Sequence, residues 1–256
     1  MANKDSISYT LLVDLSLCIV CSVVVSTAAV MLRPAQEANK EQDFKRNILQ
    51  SAGLYQEGIS IEEQFESVET RIIDLQTGNF TDAVSPQEFD QRRASEDPTL
   101  SEAISKDEDV AKIGRMEKYA EIYLAEGTSG EIIILPVRGY GLWSTLYGFL
   151  AIESDMNTIV GLGFYDHGET PGLGGEVDNP IWKGLWKGKN IHNEDGDLVI
   201  SVVKGAVDPN SPNAEYQVDG LSGATLTSRG IHNLVQFWLG EKGYGPFLKK
   251  FKSGEA

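Results

Sequence analysis

The strongest pattern along the chain is an apolar run near its start, from Leu11 to Leu32, in which Asp14 is the one charged residue. In a helix that rises about 1.5 Å per residue, a run of this length reaches about 33 Å and can cross the hydrocarbon core of a bilayer. A cleaved signal peptide is the alternative, because Lys4 precedes the run and residues 26–29 are small. The apolar core of a signal peptide is usually about 7 to 15 residues long, so the run favours one transmembrane helix.

Beyond this run the apolar positions become sparse. In residues 35–70, Phe44, Ile48, Leu49 and Leu54 have the spacing of an amphipathic helix that leaves the membrane. Residues 84–118 are typical of loops and a short helix. We therefore expect residues 34–118 to be a helical and loop connecting region that packs on the soluble domain.

From Glu121 onward the apolar residues occur in short runs with high β-propensity, separated by Gly, Asp and Asn turns. The runs cover residues 122–124, 132–137, 149–152, 159–165 and 198–203. They predict a mixed, mainly antiparallel sheet with helices inserted between its strands.

Two helices have clear start signals. Asn179 can cap the first, whose initial turn holds Pro180, with apolar Trp182, Leu185 and Trp186 after it. The second begins near Thr225 and ends at Gly240; its apolar face is Ile231, Leu234, Val235 and Trp238.

The predicted fold class is α+β, with a transmembrane segment over residues 1–33, the connecting region, and a sheet domain over residues 119–256.

Charge excludes one class of partner. The chain has 22 Lys and Arg against 38 Asp and Glu, a formal net charge of -16, which repels nucleic acid.

The orientation of the span is less clear from charge. Arg33, Lys40, Lys45 and Arg46 follow the span and only Lys4 precedes it, which by a simple count places the large domain in the cytoplasm. Large domains, however, translocate largely regardless of this bias.

The loop from Asp219 to Ala224 enters the second helix and consists mostly of small residues. Such a loop lets backbone N–H groups and the helix dipole approach an anion, so it is a candidate phosphate site. An ordinary helix entry capped by Ser222 or Thr225 is the alternative. The loop lacks the Lys of a Walker motif and the spacing of a dinucleotide fingerprint. It is close to a hydrolase nucleophile elbow, but only His232 follows it and no acid lies between them.

A second glycine-rich segment, Gly168 to Glu176, has four glycines and one proline in nine residues, which suits close approach to a flat ligand. An ordinary surface turn is the alternative. The stretch from Gly139 to Ser144 contains Trp143, which can stack on a ring system or belong to the core. The three histidines are scattered along the sequence, so we expect no metal site.

These segments together resemble a known family. The pattern Asp-x-x-Ser-Gly-Ala-Thr ending at Thr225 is similar to the flavinylation motif of the FMN-binding domain. The Gly168 to Glu176 segment and the apolar N-terminal run extend the resemblance to the C subunit of the Na+-translocating NADH:quinone reductase. Further matching stretches are Gly141-Leu142-Trp143, Lys204-Gly205, and residues 237–240 and 243–248. The G subunit of the Rnf-type ferredoxin:NAD oxidoreductase shares several of these motifs, but the Gly-Leu-Trp stretch and the C-terminal run favour the quinone reductase.

The resemblance implies that Thr225 carries FMN as a phosphoester, attached by a flavin transferase that uses FAD. It implies that the isoalloxazine is lined by Trp143, Thr170, Leu173 and Gly174, that Glu169 belongs to the same site, and that Lys204, Ser222, Gly223 and Ala224 lie near the phosphate or ribityl chain. It also implies a single-pass protein of the bacterial inner membrane with its flavin domain on the periplasmic side.

The function that follows from the resemblance is electron transfer between other membrane subunits, in a complex that couples NADH oxidation and quinone reduction to Na+ export. No catalytic acid, base or metal ligand is expected on this chain. Two alternatives stay open at this point: an Rnf-type subunit with a different electron donor, and an anchored flavin-binding sensor without turnover. Their partners would distinguish them.

Overall fold

The computed structural model describes residues 6–128 and 130–256 and divides the chain into two compact units. The first ends at Asp43 and the second begins at Phe44. Helix α1 (Ile7–Ser51) crosses this boundary: its residues up to Asp43 belong to the first unit, and the rest belong to the second. Its apolar stretch is exposed. By length and composition this helix can cross a membrane. The apolar helix expected from the sequence is present and continues without a break to Ser51.

The second unit is built on one six-stranded antiparallel sheet with the strand order β2-β1-β5-β6-β7-β8. Its strands are β1 (Val68–Asp74), β2 (Asn79–Phe80), β5 (Tyr119–Gly127), β6 (Gly130–Tyr140), β7 (Thr145–Glu153) and β8 (Ile159–Asp166). Strands β3 (Ser101–Ala103) and β4 (Arg115–Glu117) form a small antiparallel pair, and β9 (Ser201–Val202) and β10 (Gln217–Val218) form a parallel pair. The predicted α+β class with a mixed, mainly antiparallel sheet is confirmed.

The described residues of this unit form five further helices. They are α2 (Ile61–Phe65), α3 (Gln91–Glu96), α4 (Pro180–Gly184), α5 (Thr225–Leu239) and α6 (Gly245–Ser253), with 3-10 turns at Gly174–Asp178 and Ala214–Tyr216. The predicted cap of α4 is confirmed, because the Asn179 side chain accepts a hydrogen bond from the Ile181 N–H at 3.0 Å. Helix α5 also begins and ends where the pattern predicts.

Each face of the sheet packs on a different set of helices. Alternate residues of β5 and β6, such as Ile122 and Ile133, belong to the apolar core that includes Leu234 and Trp238 of α5. The intervening residues, such as Tyr123 and Ile134, face the last turns of α1, where the buried residues are Ile48 and Leu49. This alternation follows from the two-residue period of a strand. Trp238 is fixed by its indole N–H, which donates to the Arg138 carbonyl at 2.7 Å.

The region of residues 34–118 differs most from its prediction. Helix α1 stops at Ser51, and β1, which the sequence analysis places in helix or loop, pairs with β5 along its whole length. The sequence of β1 hides this role, because Ile72 and Ile73 are adjacent and both buried instead of alternating with polar residues. The run over residues 198–203 is also shorter as a strand than expected, since only Ser201 and Val202 form β9.

Candidate functional site

The buried carboxylate of Glu169 connects three separate segments of the chain. One carboxylate oxygen accepts hydrogen bonds from the N–H groups of Leu142 and Trp143 at 2.9 Å each and of Ser144 at 3.4 Å. The other oxygen accepts from the Thr227 hydroxyl at 2.6 Å. Burial opposes ionisation, but the Thr227 and backbone hydrogen bonds outweigh it and lower the pKa of Glu169 below its ordinary value. Glu169 therefore holds the β6–β7 hairpin loop, the 168–176 segment and α5 together.

Close packing around this carboxylate depends on glycine. A Cβ atom on Gly174 would lie 2.6 Å from both Glu169 Oε2 and Thr227 Oγ1, and one on Gly141 would lie 2.6 Å from Glu169 Oε1. Real Cβ atoms do not approach other atoms so closely, because van der Waals repulsion rises steeply at this distance. The glycines expected to approach a ligand therefore serve first to let these loops close around Glu169.

We expect Gly174→Ala to lower the free energy of unfolding by about 1 to 3 kcal/mol, because the added methyl group overpacks a buried hydrogen-bonded contact. Gly184→Ala is the matched control, since a Cβ there meets no atom within 4 Å and the residue ends a helix. Urea unfolding of both variants measures the difference. Equal stability of the two variants would contradict the close packing.

The 168–176 segment also touches the loop before α5. A Cβ on Gly223 would lie 3.0 Å from Leu173 Cδ2, and Gly223 has a φ of +73°, which an L residue seldom adopts. Helix α5 begins after Ala224, and no side chain caps it. Neither Ser222 nor Thr225 therefore acts as the cap that the alternative interpretation of this loop requires. The first N–H groups of α5 are left without a side-chain acceptor.

Thr225 lines a cleft of about 190 Å³ between the start of α5 and residues 202–205. Lys204, Arg229 and His232 line the same cleft. Among the described residues, neither Lys204 nor Arg229 forms an ion pair, and the Thr225 hydroxyl makes no hydrogen bond. Burial lowers the pKa of His232, which favours its neutral form. The cleft thus combines an exposed hydroxyl with two positive charges that no described carboxylate neutralises.

Large apolar side chains are exposed on the segments that Glu169 connects. Trp143 in the hairpin loop is 66% exposed, Leu173 in the glycine-rich segment is 45% exposed, and Leu226 in the first turn of α5 is 52% exposed. Single exposed apolar residues are common, but three on connected segments are typical of a binding surface. Such side chains suit the faces of a flat, apolar ring system.

His167 fixes the start of the glycine-rich segment. Its Nε2 lies 2.9 Å from Asp178 Oδ2, and its Nδ1 accepts from the Glu169 N–H at 3.2 Å. The hydrogen bond to Asp178 and the charge of that carboxylate outweigh burial and raise the pKa of His167. The Gly168 N–H donates to the Ser144 hydroxyl at 2.5 Å, which ties the segment to the hairpin loop a second time.

Comparison with known proteins identifies the family. A model of the FMN-binding domain family matches residues 141–240, which include all the segments just described. The C subunit of the Na(+)-translocating NADH-quinone reductase of Pseudomonas aeruginosa is 53% identical to this chain over 262 aligned residues. The alignment covers 100% of the length of both proteins. The chain belongs to the C-subunit family of this reductase. The C subunit of Yersinia pestis is 48% identical, covering 98% of this chain and 96% of its own.

Solved structures of the C-subunit family have the same fold. Shewanella oneidensis NqrC superimposes with a TM-score of 0.77 at 35% identity, covering 84% of this chain and 99% of its own. The C subunit of Parabacteroides distasonis superimposes with a TM-score of 0.66 at 28% identity, covering 85% of this chain and 96% of its own. Membership of this family makes the chain a subunit of an oxidoreductase with an FMN-binding domain.

The fold brings the predicted site residues together in two groups. Trp143, Glu169, Leu173 and Gly174 lie on the segments that Glu169 connects, together with Thr170, whose carbonyl accepts from the Gly175 N–H at 2.9 Å. Lys204 and Thr225 line the cleft, next to the loop that contains Ser222, Gly223 and Ala224. The carboxylate of Glu169 is occupied by protein donors, so its effect on a ligand is exerted through the loops that it holds.

The sequence analysis missed three residues of this site: Leu226, Thr227 and Arg229. Arg229 lies one helical turn after Thr225, and this i, i+4 spacing was a signal that could have found it. Thr227 was given no role by the sequence analysis. Its partner Glu169 lies 58 positions earlier in the chain, and no local pattern links the two residues.

Proposed function

We propose that this chain carries FMN covalently on the hydroxyl of Thr225, through a phosphoester, and serves as an electron-carrying subunit of a Na+-translocating NADH:quinone reductase. The single observation that carries the proposal is the placement of exposed Thr225, whose hydroxyl makes no hydrogen bond with the described residues, in a cleft with Lys204 and Arg229. When bound, the flavin supplies one- and two-electron redox chemistry that no side chain of the protein has.

The charges of the cleft support a phosphate at Thr225. Lys and Arg form short, charge-assisted hydrogen bonds to phosphate oxygens, and Arg can bind two of them at once. The N-terminus of α5 begins at Thr225 and has no side-chain cap, so its N–H groups and dipole favour a negative charge at the same place. The two cationic side chains and the helix N-terminus would therefore act together on the phosphate end of FMN.

The exposed apolar side chains are consistent with binding of the isoalloxazine end of FMN. Trp143, Leu173 and Leu226 can cover an isoalloxazine ring and remove apolar surface from water. Thr170 and Gly174 lie on the same glycine-rich segment, and Ser222, Gly223 and Ala224 lie between the two groups, where the ribityl chain would run. The chain has no need of an acid or base of its own for electron transfer, and we assign none.

Attachment requires a second protein, because a threonine hydroxyl is a weak nucleophile. We propose a flavin transferase that uses FAD: the Thr225 oxygen forms a bond to the FMN phosphorus, the bond to AMP breaks, and the hydroxyl proton leaves. The product is the chain plus FMN minus one water. This balance gives the reaction a mass signature that distinguishes it from noncovalent binding.

The family supports a proposal for the partners and the location of the chain. The relatives are named as subunits of a reductase, so we propose that other membrane subunits of such a complex surround this chain and couple its electron transfer to Na+ export. We place it in the bacterial inner membrane, with the sheet unit on the periplasmic side. Protection of this unit from a protease added outside intact spheroplasts would contradict that orientation.

The test of the function is the intact mass of the wild-type chain produced with and without the flavin transferase. We expect the FMN adduct only with the transferase, and we expect NADH to reduce the bound flavin when the chain is purified with its partner subunits. An unmodified chain in the presence of the transferase would overturn the attachment. Purification without partner subunits would favour the anchored sensor.

We expect Lys204→Gln and Arg229→Gln each to slow flavin attachment roughly 10- to 100-fold, because a charge-assisted hydrogen bond to phosphate contributes about 1.5 to 3 kcal/mol. Lys106→Gln removes the same charge from an exposed position outside the cleft and is the control. In-gel flavin fluorescence, followed over time with purified transferase, measures the three rates. Equal rates for all three variants would contradict phosphate binding in this cleft.

A further inference from the structure

A second cavity, of about 420 Å³, contains none of the residues assigned to the flavin site. Phe44 of α1 and Trp238 of α5 both contribute to its lining. Six aromatic side chains line it: Phe44, Phe89, Tyr123, Tyr147, Tyr165 and Trp238. A cavity of this size is within the range of small-ligand sites, which span about 300 to 1,000 Å³.

The positive charges that line this cavity are already paired. Arg92 forms an ion pair with Asp166 at 2.7 Å, and its guanidinium lies 3.9 Å from the centre of the Tyr147 ring. Arg138 forms an ion pair with the buried Glu117 at 2.6 Å and also donates to the Arg115 carbonyl. The remaining oxygen of Glu117 accepts from the Gln91 side chain at 2.6 Å. These groups therefore neutralise one another.

Glu121 is the exception. Its carboxylate accepts one hydrogen bond, from the Tyr123 hydroxyl at 3.0 Å. Within the described part of the chain no cation forms an ion pair with it. Burial raises the pKa of Glu121 to about 7, with the nearby Asp90 adding to the rise and the Tyr123 hydrogen bond opposing it. A half-buried carboxylate without a counter-ion is costly, and a cation would relieve that cost.

We propose that this cavity binds a small organic cation with a flat apolar body, whose positive group pairs with Glu121 and whose body lies against the aromatic walls. Aromatic faces attract cations, and the attraction strengthens where water is excluded. An anion of the same shape would meet Glu121 and Asp90 and be repelled. The proposal does not depend on flavin attachment, because the two sites share no lining residue.

Three probes of equal shape test the charge preference: benzamidine, which is cationic, benzamide, which is neutral, and benzoate, which is anionic. Binding to the full-length chain in detergent is measured by calorimetry at pH 8, where Glu121 is ionised. We expect benzamidine to bind with a Kd on the order of 1 mM, at least about tenfold tighter than benzamide, and benzoate not to bind. Benzoate binding as tight as that of benzamidine, or no saturable benzamidine binding, would overturn the proposal.

Two variants locate the binding. Glu121→Gln keeps the size of the side chain and an acceptor for Tyr123, and we expect it to weaken benzamidine at least about tenfold, to the level of benzamide. Glu126→Gln removes an equal charge from the same strand at an exposed position outside the cavity and should leave binding unchanged. Equal weakening in both variants would show that only net charge attracts the probe, and would overturn the proposal. The comparison of the three probes on the wild-type chain tests the proposal even if neither variant folds.

Discussion

Replacement of Thr225 by Ala is expected to leave the chain folded and completely without covalent flavin. The Thr225 side chain is exposed and makes no hydrogen bond among the described residues, so the free energy of unfolding should change by no more than about 0.5 kcal/mol. The hydroxyl is the only atom of the residue that can form the phosphoester. Intact mass and flavin fluorescence in a denaturing gel, after production with the transferase, measure the loss.

Two variants serve as controls for this result. Thr225→Ser keeps a hydroxyl at the same place and should retain the FMN adduct. Ser222→Ala removes the other exposed hydroxyl of the loop and should also retain it. An FMN adduct on the Thr225→Ala chain would mean that another residue carries the flavin, and it would remove the basis of the proposed function.

The second large effect concerns stability. We expect Glu169→Ala to lower the free energy of unfolding by about 3 to 5 kcal/mol, since it removes the acceptor of four hydrogen bonds and leaves buried donors unsatisfied. The three connected segments should separate and flavin attachment should fall with them. Urea unfolding and the rate of attachment are the two measurements.

Glu176→Ala is the matched control, because it removes a carboxylate of the same segment whose described hydrogen bond is a single one, to the Asn179 side chain. We expect it to cost less than about 1 kcal/mol. If both variants were equally stable, Glu169 would not be the connection between the segments.

Acid adds an independent readout for Glu169. Because the folded state lowers the pKa of this carboxyl, its contribution is complete above the ordinary glutamate pKa of 4.5 and is lost as the pH falls below that value. Glu169→Gln cannot titrate and retains an acceptor for the loop N–H groups. Its stability relative to the wild type should therefore improve as the pH falls through this range. A constant difference between the two proteins would contradict a lowered pKa.

Local patterns predicted those parts of the fold that depend on neighbours in the chain. The apolar run of α1, the Asn179 cap and the face of α5 each follow from spacings of one to seven residues, and the structure has all three. Strand β1 was missed because its burial comes from pairing with β5, about 50 residues later, and not from its own alternation. A short apolar run such as Ile72-Ile73 does not show by itself whether it belongs to a strand or to a helix.

The sequence by itself determined the long apolar N-terminal helix, the sheet domain and the family to which the chain belongs, because helix length, strand period and a compact motif are all written in consecutive residues. Only the tertiary structure decided that Glu169 holds three segments together and that the Lys204 segment lines the cleft in which Thr225 and Arg229 lie. It also decided that Glu121 faces an aromatic cavity without a counter-ion among the described residues. These relations join residues that are distant in the chain, and burial and hydrogen bonding between them exist only after the sheet and α5 have packed.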